Sequence, residues 1–485
     1  MTILEKNIQA LLSGVNEPLG NKLLNFIQNK TCSRFNIDEN LNIYDKTHNV
    51  FMYENLEEEI NFFYQSILEK TPRYPFICIY GIGNALLIKN LAKHYKHLFV
   101  FESEIELFIL ALSTIDLSEE LCSGKIYLVD VCEPKMELQL SILFDQKDMF
   151  EWLNLYEMFI SCNFYKMYYQ DVILKTDQTC MDNIFVVIRN FDPNDQLTTI
   201  CYKQFLQNIP HLLQNIPFQR LLSERKAKFD TAVVVSAGPS LHKQLALLRQ
   251  YQENVVIFCA DGALNMLENE GIVADYVLNL DIEDLAVKFF NCSKSLDYSK
   301  TIAVLAVNTH PNVIDCLINK FPYCIALRDE YLYKQFHLDD FGYIDTGTHV
   351  SHFSYTLALA LGFKNIIMIG QDLAFDEEGN SHSKGFDFGE KFSGEENIDK
   401  LKVPAYAGKG EVLTHITWND YRIKLEYLFA CNDQKAKFYN ATEGGARINF
   451  TEELSFKECC EKLLTKEKPQ FELPKSLTKN RSDKL

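Results

Sequence analysis

The sequence predicts an α/β protein whose largest domain is built on a mainly parallel, doubly wound sheet. Between residues 231 and 370, short runs of β-branched and other apolar residues alternate with helical patterns. The runs are apolar on both faces, which is typical of strands covered by helices on each side. Strands that alternate with helices favour crossover connections and therefore a parallel sheet. The strands are expected at 231–236, 255–260, 276–281, 302–308, 324–328 and 365–370.

Two helices of this domain have distinct patterns. From Leu241 to Tyr251, apolar residues recur at 241, 245 and 248, which is the stripe of a helix with one buried face. From His349 to Leu361 the pattern is apolar nearly all round, and Gly362 follows as a plausible C-cap. We therefore expect the second helix to be buried between the sheet and another element.

A smaller α/β unit is expected nearer the N-terminus. Phe76–Tyr80 has the composition of a buried strand, Gly81–Asn84 that of a tight turn and 85–94 that of a helix, and a second strand at 98–101 ends at Glu102. This order predicts a Rossmann-like βαβ unit, although its GxG is shorter than a full dinucleotide fingerprint. The turn either binds a small molecule, such as a methyl donor or a dinucleotide, or serves only the fold. Further strands are expected at 125–131 and 183–188.

Length and changes in composition divide the chain into three parts. Its 485 residues exceed one ordinary core. We expect an N-terminal domain with the Rossmann-like unit at 1–215, a central α/β domain at 216–395 and a helical C-terminal region at 396–485. A Gly- and charge-rich loop begins near residue 376, and the charged tail from Lys466 is expected to be disordered.

Charge and cysteine usage restrict the partners and the compartment. A net charge of −18 disfavours a nucleic-acid partner, since phosphate backbones need basic side chains. The 14 cysteines form no CxxC pair and no Cys/His cluster at zinc spacing, which indicates free thiols in a reducing compartment. The N-terminus has no signal-peptide pattern, and no apolar run is long enough for a membrane span. The sequence therefore predicts a cytoplasmic protein without nucleic-acid or membrane partners.

Polar residues follow the expected strands of the central domain. In an open α/β sheet the ligand lies at the carboxyl ends of the strands. The Gly-containing turn after the first strand opens a helix, whose free N–H groups suit a phosphate. Several such strand ends at one edge are better evidence for a site than any one of them. The segments are Gly238-Pro239-Ser240, Asp261, Asp281 with Glu283 and Asp284, Asn308, Thr346-Gly347-Thr348, and Gly370-Gln371-Asp372.

Each of these segments also has a purely structural interpretation. Asp261 can simply cap the helix that follows it, and Thr346–Thr348 can be an N-cap turn. Asp281, Glu283 and Asp284 can hold a divalent metal under a diphosphate, or they can be solvated acids.

Histidines are the candidates for acid/base chemistry. His349 and His352 fall on the apolar helix and are more typical of packing or hydrogen-bonding residues. His382 lies in the Gly- and charge-rich loop, where it can close over a ligand. The sequence has neither a Gly-x-Ser-x-Gly elbow nor a Walker sequence, which argues against a serine hydrolase and a P-loop enzyme.

These same segments resemble a known family. The run VVVSAGPSLHKQL…VVIFCADGALNML…GIVADYVLNLD is similar to the central domain of motility accessory factor proteins, the bacterial flagellin glycosyltransferases. GTHVSHFSYTLALALGFKNIIMIGQDLAF, the Ser-His pair at 381–382 and NATEGGARI at 440–448 match that family's pattern and order. GIGN…LFVFESEIELF resembles its N-terminal domain, so the resemblance spans about residues 70 to 450. Archaeal pterin diphosphokinases share the central module.

The resemblance implies a sialyltransferase-like central domain and a defined reaction. A nonulosonic acid, pseudaminic or legionaminic acid, would move from its CMP-activated form to Ser/Thr of flagellin, a step needed for flagellum assembly and motility. The implied partners are flagellin and the CMP-sugar. Sialyltransferases of that kind need no metal, so no cofactor is implied, while a divalent metal at Asp281, Glu283 and Asp284 stays an alternative.

The resemblance also suggests roles for particular residues. In such transferases the turn after the first strand, the Thr/Ser-Gly helix start and the Gly-x-Asp strand end surround the CMP, and a histidine is the base. From the chemistry of the transfer, a carboxylate is then expected to orient that histidine or to hold a sugar hydroxyl. The candidates are His382, Asp281 and Asp372 for catalysis; Gly238, Pro239, Ser240, Asp261, Asn308, Thr346, Gly347, Thr348 and Gln371 for the donor nucleotide; and Glu283, Thr442, Glu443 and Gly444 for the sugar or acceptor. Two other functions stay open, a 6-hydroxymethylpterin diphosphokinase and a non-enzymatic flagellin-binding chaperone.

Overall fold

Two α/β units make up the chain, Met1–Asp192 and Pro193–Leu485. The computed structural model describes residues 2–14, 16–144, 149, 151–190, 195–291, 296–329, 331–392 and 400–476. The α/β class with parallel sheets is confirmed in both units. The division falls before the expected boundary at 215, because helix Asp195–Gln214 belongs to the second unit and packs there through Phe205 and Leu212.

The N-terminal unit contains two sheets. Its strands are β1 (Phe35–Ile37), β2 (Ile43–Asp45), β3 (Val50–Phe51), β4 (Phe76–Tyr80), β5 (His97–Glu102), β6 (Ile126–Asp130) and β7 (Met158–Ile160). β4 to β7 form a parallel sheet in the order β6-β5-β4-β7, and β1 to β3 form a small antiparallel sheet. The helices that surround them are Ile3–Leu12, Glu17–Asn29, Leu56–Lys70, Leu86–Leu91, Ile105–Thr114, Ser118–Cys122, Met136–Phe144, Asn163–Tyr168 and Gln170–Asn190.

The strand expected at 183–188 is wrong, because these residues lie inside helix Gln170–Asn190. Cys180, Ile184 and Val187 are buried, and their spacing of four and three residues is that of one helical face. The β-branched residues of this segment suggested a strand, but packing on the unit's core overrides that preference.

The second unit is organised by one large parallel sheet. Its strands are β8 (Ile216–Pro217), β9 (Thr231–Val235), β10 (Val256–Ala260), β11 (Tyr276–Asn279), β12 (Ile302–Ala306), β13 (Tyr323–Arg328), β14 (Tyr343–Ile344), β15 (Asn365–Ile369), β18 (Lys437–Asn440) and β19 (Glu452–Glu453). The strand order is β14-β13-β12-β11-β10-β9-β15-β18-β19, with β8 beside β13. All the strand pairs of this sheet are parallel.

The order of the strands places a topological switch point between β9 and β15. From β9 the chain adds strands outward to β14, and it then returns to pair β15 with the other side of β9. Neighbouring connections therefore leave the sheet on opposite faces, which opens a crevice at the carboxyl ends of these two strands. This crevice is the expected position of a ligand site.

Helices cover both faces of the large sheet. Alternate residues of β9 enter two separate hydrophobic clusters, Val233 and Val235 on one face and Ala232 and Val234 on the other. The α-helices of this unit are Asp195–Gln214, Phe218–Arg225, Leu245–Tyr251, Leu264–Asn269, Pro311–Leu317, Tyr331–Lys334, Val350–Ala360, Ile416–Asn432 and Phe456–Leu463. Within the described part of the chain, no helix combines the length and apolar character that crossing a bilayer requires.

The segment expected as a separate helical region, 396–485, is instead continuous with the central sheet. It supplies β18, which pairs with β15, and an antiparallel hairpin of β16 (Lys400–Pro404) and β17 (Glu411–His415). The sequence predicts a short strand before the turn-rich segment 440–446, and the structure places it at Lys437–Asn440. Its pairing with β15 makes this segment part of the sheet of the second unit.

Residues 466–476, which we expected to be disordered, pack against this unit instead. The Nζ atom of Lys468 lies 2.8 Å from an Oδ atom of Asp275. The guanidinium of Arg225 lies 4.5 Å from the ring centre of Phe471 and donates a hydrogen bond of 2.9 Å to the carbonyl of Glu472. Charge and proline content predicted disorder for these residues, but a few specific contacts hold them against the unit.

Candidate functional site

Two backbone turns meet at the switch point. The N–H of Gly238, after β9, donates a hydrogen bond of 2.8 Å to the carbonyl of Gly370, after β15. A Cβ on Gly370 would lie 2.1 Å from the carbonyl oxygen of Ser236, and the φ of Gly370 is +64°. Only glycine satisfies both conditions at this position. The ends of β9 and β15, which were both expected at the ligand site, are therefore in direct contact.

Asp372 occupies the helix start that the sequence assigned to a phosphate. Its carboxylate accepts hydrogen bonds from the backbone N–H of Ser240, at 3.1 and 3.2 Å, and from the Ser240 hydroxyl, at 2.8 Å. Burial raises the pKa of Asp372 to about 6, although these hydrogen bonds oppose the shift. The N–H and hydroxyl donors of Ser240 are therefore already hydrogen-bonded to a side chain of the protein.

Two cavities adjoin these turns, and Asp372 lines both. The smaller has a volume of about 180 Å³ and the larger about 950 Å³. The polar and aromatic residues of the smaller cavity are Ser236, His349, Ser351, Gln371, Asp372, Ser381, His382, Trp418 and Tyr421. Charged and polar side chains of the larger cavity include Ser240, His242, Lys243, Asp372, Asp376, Glu377, Glu378, Tyr406, Lys409, Glu411, Glu443 and Ser455.

Helix Val350–Ala360 begins at the wall of the smaller cavity. His349 is its N-cap, and the His349 Nδ1 atom accepts the backbone N–H of His352 at 3.3 Å. The His349 ring stacks on Tyr421 with centres 4.4 Å apart, and burial lowers its pKa well below the ordinary value. Three other residues of the smaller cavity are close together: Ser236 Oγ lies 2.7 Å from Ser351 Oγ and 2.9 Å from Gln371 Oε1.

His382, the predicted base, lies in the smaller cavity and packs against aromatic rings. Its imidazole is parallel to the ring of Phe386 at 3.9 Å, and its Nδ1 atom is 3.0 Å from the hydroxyl of Ser381. Burial lowers the pKa of His382 to about 4. The ring is therefore neutral at pH 7, but its low basicity makes it a weak proton acceptor.

The predicted acids farther along the sheet line neither cavity. Asp261 is buried, and it accepts hydrogen bonds from Asn279 Nδ2 and from the N–H of Gly262. Burial, and then the nearby Asp281, raise the pKa of Asp261 well above its ordinary value. Burial raises the pKa of Asp281 to about 6, with a further contribution from the exposed Glu283.

Other predicted donor-binding residues have partners within the protein. Asn308 is buried and its Nδ2 atom lies 3.5 Å from the sulfur of Cys201. In the Thr346–Thr348 turn, the N–H of Gly347 donates to Asp345 at 2.8 Å and the hydroxyl of Thr348 accepts from Lys424 at 3.3 Å. The residues that follow this turn line the smaller cavity, and the turn itself lines neither cavity.

The turn after β18 folds against Asp372. A Cβ on Gly445 would lie 2.5 Å from the Cα of Asp372, which shows how closely the two backbones approach. Glu443 and Gly444 line the larger cavity, whereas Thr442 is buried and donates to Asn440 Oδ1 at 2.7 Å. The segment expected to return to the site therefore reaches it at the side of the larger cavity.

No metal centre is evident among the described residues, where no group of three or more His, Cys, Asp or Glu is arranged to hold an ion. Asp284 accepts a hydrogen bond of 2.7 Å from Asn312, and its carboxylate lies 3.6 Å from His310. That the reaction needs no cofactor stays a prediction, with a divalent metal at Asp281, Glu283 and Asp284 as its alternative.

Several cavity residues were missed in the sequence. Ser236, Ser351, Trp418 and Tyr421 were not assigned to the site, and His349 was interpreted as a packing residue. His349 and Ser351 directly follow the Thr-Gly-Thr turn, which was itself assigned to the site, so their position in the sequence could have indicated that they line it. The aromatic residues come from helix Ile416–Asn432, and nothing in their own sequence points to the switch point.

The Gly81–Asn84 turn of the N-terminal unit is filled by the unit's own side chains. The N–H of Gly83 donates to the hydroxyl of Tyr165 at 3.1 Å, and the N–H of Ile82 donates to Glu102 at 3.2 Å. A Cβ on Gly81 would lie 2.2 Å from the Tyr165 ring. These contacts favour a structural role for the turn over a small-molecule site.

The fold and the position of the cavities are those of doubly wound α/β proteins, whose ligand sites lie at the carboxyl edge of the sheet. A family model described as "MptE-like: 6-hydroxymethylpterin diphosphokinase MptE-like" matches residues 203–378. This match supports, for the central part of the chain, the family resemblance drawn from the sequence.

Solved structures and curated proteins give two further comparisons. Among solved structures, the MAf glycosyltransferase from Magnetospirillum magneticum AMB-1 is similar over 93% of this chain and 74% of that chain, with a TM-score of 0.49 and 15% sequence identity. The comparison with curated proteins gave no significant match.

Proposed function

We propose that this protein is a glycosyltransferase that moves a nonulosonic acid from a CMP-activated donor to Ser/Thr of flagellin. The observation that carries the proposal is the position of Asp372, a buried carboxyl group that lines both cavities at the switch point. A group transfer between two substrates needs a proton acceptor where the substrates meet. The match over residues 203–378 and the motifs of the sequence are consistent with this assignment.

The two cavities suit two different substrates. The smaller one begins at the N-terminus of an 11-residue helix, which favours the anionic part of the donor. The larger one, at about 950 Å³, has room for a polypeptide segment beside the sugar. A transferase that modifies a protein needs such an open second site, and an enzyme of small metabolites does not.

In the proposed reaction the bond between the anomeric carbon and the phosphate oxygen breaks, and CMP leaves with the bonding electrons. The hydroxyl oxygen of the acceptor bonds to the anomeric carbon, and its proton passes to Asp372. A pKa of about 6 leaves Asp372 largely ionised at neutral pH while keeping it basic enough for this role. Helix N–H groups stabilise the charge on the departing phosphate, so the reaction needs no metal.

The proposal is tested by incubating the full chain with CMP-pseudaminic or CMP-legionaminic acid and the flagellin of the same organism. We expect CMP release, measured by chromatography, and the mass of one or more nonulosonate residues on flagellin. Asp372→Asn should remove transfer, while circular dichroism shows a folded protein. If the wild-type protein transfers no nonulosonate from any CMP donor, the proposal is wrong.

A diphosphokinase acting on a hydroxymethylpterin is the second candidate, because the matching family model carries that description. This reaction would consume ATP, require Mg²⁺ and release AMP. Its discriminating assay follows AMP formation with 6-hydroxymethylpterin and ATP. AMP formation that depends on the pterin, without sugar transfer in the first assay, would replace the glycosyltransferase proposal.

A further inference from the structure

The start of helix Val350–Ala360 is the donor-rich wall of the smaller cavity. In the neighbouring turn, the N–H and hydroxyl groups of Ser240 are already bonded to Asp372. The helix is 11 residues long, and its first amides lie beside His349 and Ser351, which line the cavity. Of the two helix starts expected to hold a phosphate, the structure therefore favours this one.

The capping hydrogen bond of His349 fixes where its ring carries a proton. Because Nδ1 accepts the backbone N–H of His352, the proton of the neutral imidazole lies on Nε2. Burial keeps the pKa of His349 well below the ordinary value, so this neutral form persists across the physiological range. His349 is thus a constant N–H donor at Nε2.

That donor has no acceptor among the described residues. The Nε2 atom of His349 is buried and forms no hydrogen bond there, while the residue as a whole is partly buried and lines the smaller cavity. Burying a donor without an acceptor costs free energy, and proteins rarely tolerate it without a ligand or water. Two carboxylates of this region are engaged elsewhere, Asp372 with Ser240 and Asp345 with the N–H of Gly347.

We propose that His349 Nε2–H and the first amides of helix Val350–Ala360 together bind an anionic oxygen of the ligand. The inference rests on the proposed function for the identity of that ligand, a CMP-linked sugar acid. Such a donor carries two anions, the phosphate of CMP and the carboxylate of the sugar. His349 is a positioning residue for one of them and takes no proton during the reaction.

The test separates capping from ligand binding by two substitutions at one position. Asn caps helices well, so His349→Asn keeps an acceptor for the N–H of His352 but removes the Nε2 donor, whereas His349→Ala removes both. We expect His349→Asn to keep the melting temperature of the wild type within a few degrees. His310→Asn is the matched control, since His310 also caps a helix through Nδ1 but lines neither cavity.

Calorimetry with four probes then identifies the anion. The probes are CMP, cytidine, inorganic phosphate and free nonulosonic acid. We expect His349→Asn to weaken binding of CMP and phosphate, or of the free sugar acid, by tenfold or more, and to leave cytidine unchanged. His310→Asn should match the wild type with every probe. Equal affinities of wild type and His349→Asn for all the anions, or no anion binding by the wild type, would overturn the inference.

A second measurement needs no substitution. In ¹⁵N-histidine-labelled wild-type protein, adding the bound anion should shift the Nε2 resonance of His349 while Nδ1 stays unprotonated. An unchanged Nε2 resonance at saturation would contradict the inference even if both variants fail to fold. Failure of the sugar-transfer assay, in contrast, leaves these binding measurements intact and concerns only the proposed function.

Discussion

The carboxyl group of Asp372 is enclosed by protein, and Ser240 supplies both of its described hydrogen-bond donors. Burial raises its pKa to about 6, while burial lowers the pKa of His382, in the same cavity, to about 4. Desolvation thus moves the two candidate bases in opposite directions and reverses their usual order. At the residue scale, this difference decides which of them accepts a proton near neutral pH.

The pH dependence of transfer should report this order. We expect kcat/KM to rise about tenfold per pH unit below pH 6 and to level off above it, because Asp372 must be ionised to act as a base. A series of initial rates between pH 4.5 and 8 measures the midpoint. An acid limb centred near pH 4 would assign the base to His382 instead.

Glu102 in the N-terminal unit should make that unit less stable as pH rises. Burial raises its folded-state pKa to about 7, above the ordinary 4.5, so the folded unit binds the proton more tightly. The contribution of Glu102 to the free energy of unfolding is therefore largest below pH 4.5. It decreases by about 3 kcal/mol as the pH rises to about 7. Glu102→Gln should abolish this decline.

Urea unfolding between pH 4.5 and 8 measures the effect of Glu102. The chain has two tryptophans, Trp152 and Trp418. A Trp418→Phe background leaves Trp152 as the reporter of the N-terminal unit. If the difference in stability between this background and the same protein with Glu102→Gln does not change with pH, the expectation is contradicted.

The sequence indicated which residues would lie at the carboxyl edge, but not how they would bond to one another. Ser240 was assigned to the donor nucleotide and Asp372 to catalysis, yet they are hydrogen-bonded partners 132 positions apart. Such a contact depends on β15 returning beside β9, and strand order is not encoded in local pattern. For the same reason His349, interpreted as a packing residue, lines a cavity.

At the scale of elements, the sharp turn after β15 sets the geometry of the site. Gly370 and Gly379 have similar positive φ angles, +64° and +78°. A Cβ on Gly370 would lie 2.1 Å from a backbone oxygen, whereas nothing lies within 4 Å of a Cβ on Gly379. Comparing substitutions at Gly370 and Gly379 therefore distinguishes the cost of a left-handed φ from the cost of a steric clash.

Alanine substitutions at these two glycines should differ in cost. We expect Gly379→Ala to lower the free energy of unfolding by about 1 kcal/mol, from the left-handed φ alone. Gly370→Ala should cost at least about 3 kcal/mol, because a backbone shift must also relieve the clash. Chemical unfolding of both variants measures the difference, and similar costs would show that the turn after β15 can relax.

Most elements of the central sheet were predictable, since their runs of apolar residues are short and bounded by polar turns. The strands expected at 231–236 and 255–260, for example, are found at Thr231–Val235 and Val256–Ala260. The segment 183–188 failed because β-branched residues at helical spacing also occur on buried helix faces. β18 was expected as a short strand before the turn at 440–446, but without bounds, because a strand of four residues gives little periodicity.

At the scale of the whole second unit, the C-terminal segment contributes contacts that hold it against the sheet. The ion pair between Lys468 and Asp275 is largely buried, with side chains 12% and 16% exposed. Asp275 also accepts the backbone N–H of Ile257, at 2.9 Å, so it holds the start of a central strand. Contacts of this kind explain why residues 466–476, despite their charge and prolines, pack against this unit.

Lys468→Ala should therefore destabilise the second unit by about 2 kcal/mol, because it leaves Asp275 without its cation in a buried position. Lys466→Ala is the matched control, since Lys466 is exposed and has no described ion pair. Differential scanning calorimetry compares the two. Equal melting temperatures for the two variants would show that the Lys468–Asp275 ion pair contributes nothing to stability.

The position of β9 in the strand order has a consequence for synthesis on the ribosome. β9 emerges long before its second neighbour, β15, which is itself later covered by β18 at residues 437–440. Until then the Thr-Ala-Val-Val-Val strand has one unpaired edge, and such edges template aggregation. Translation stalled between residues 260 and 365 should thus yield insoluble chains, and the nascent second unit depends on rapid completion or on a chaperone.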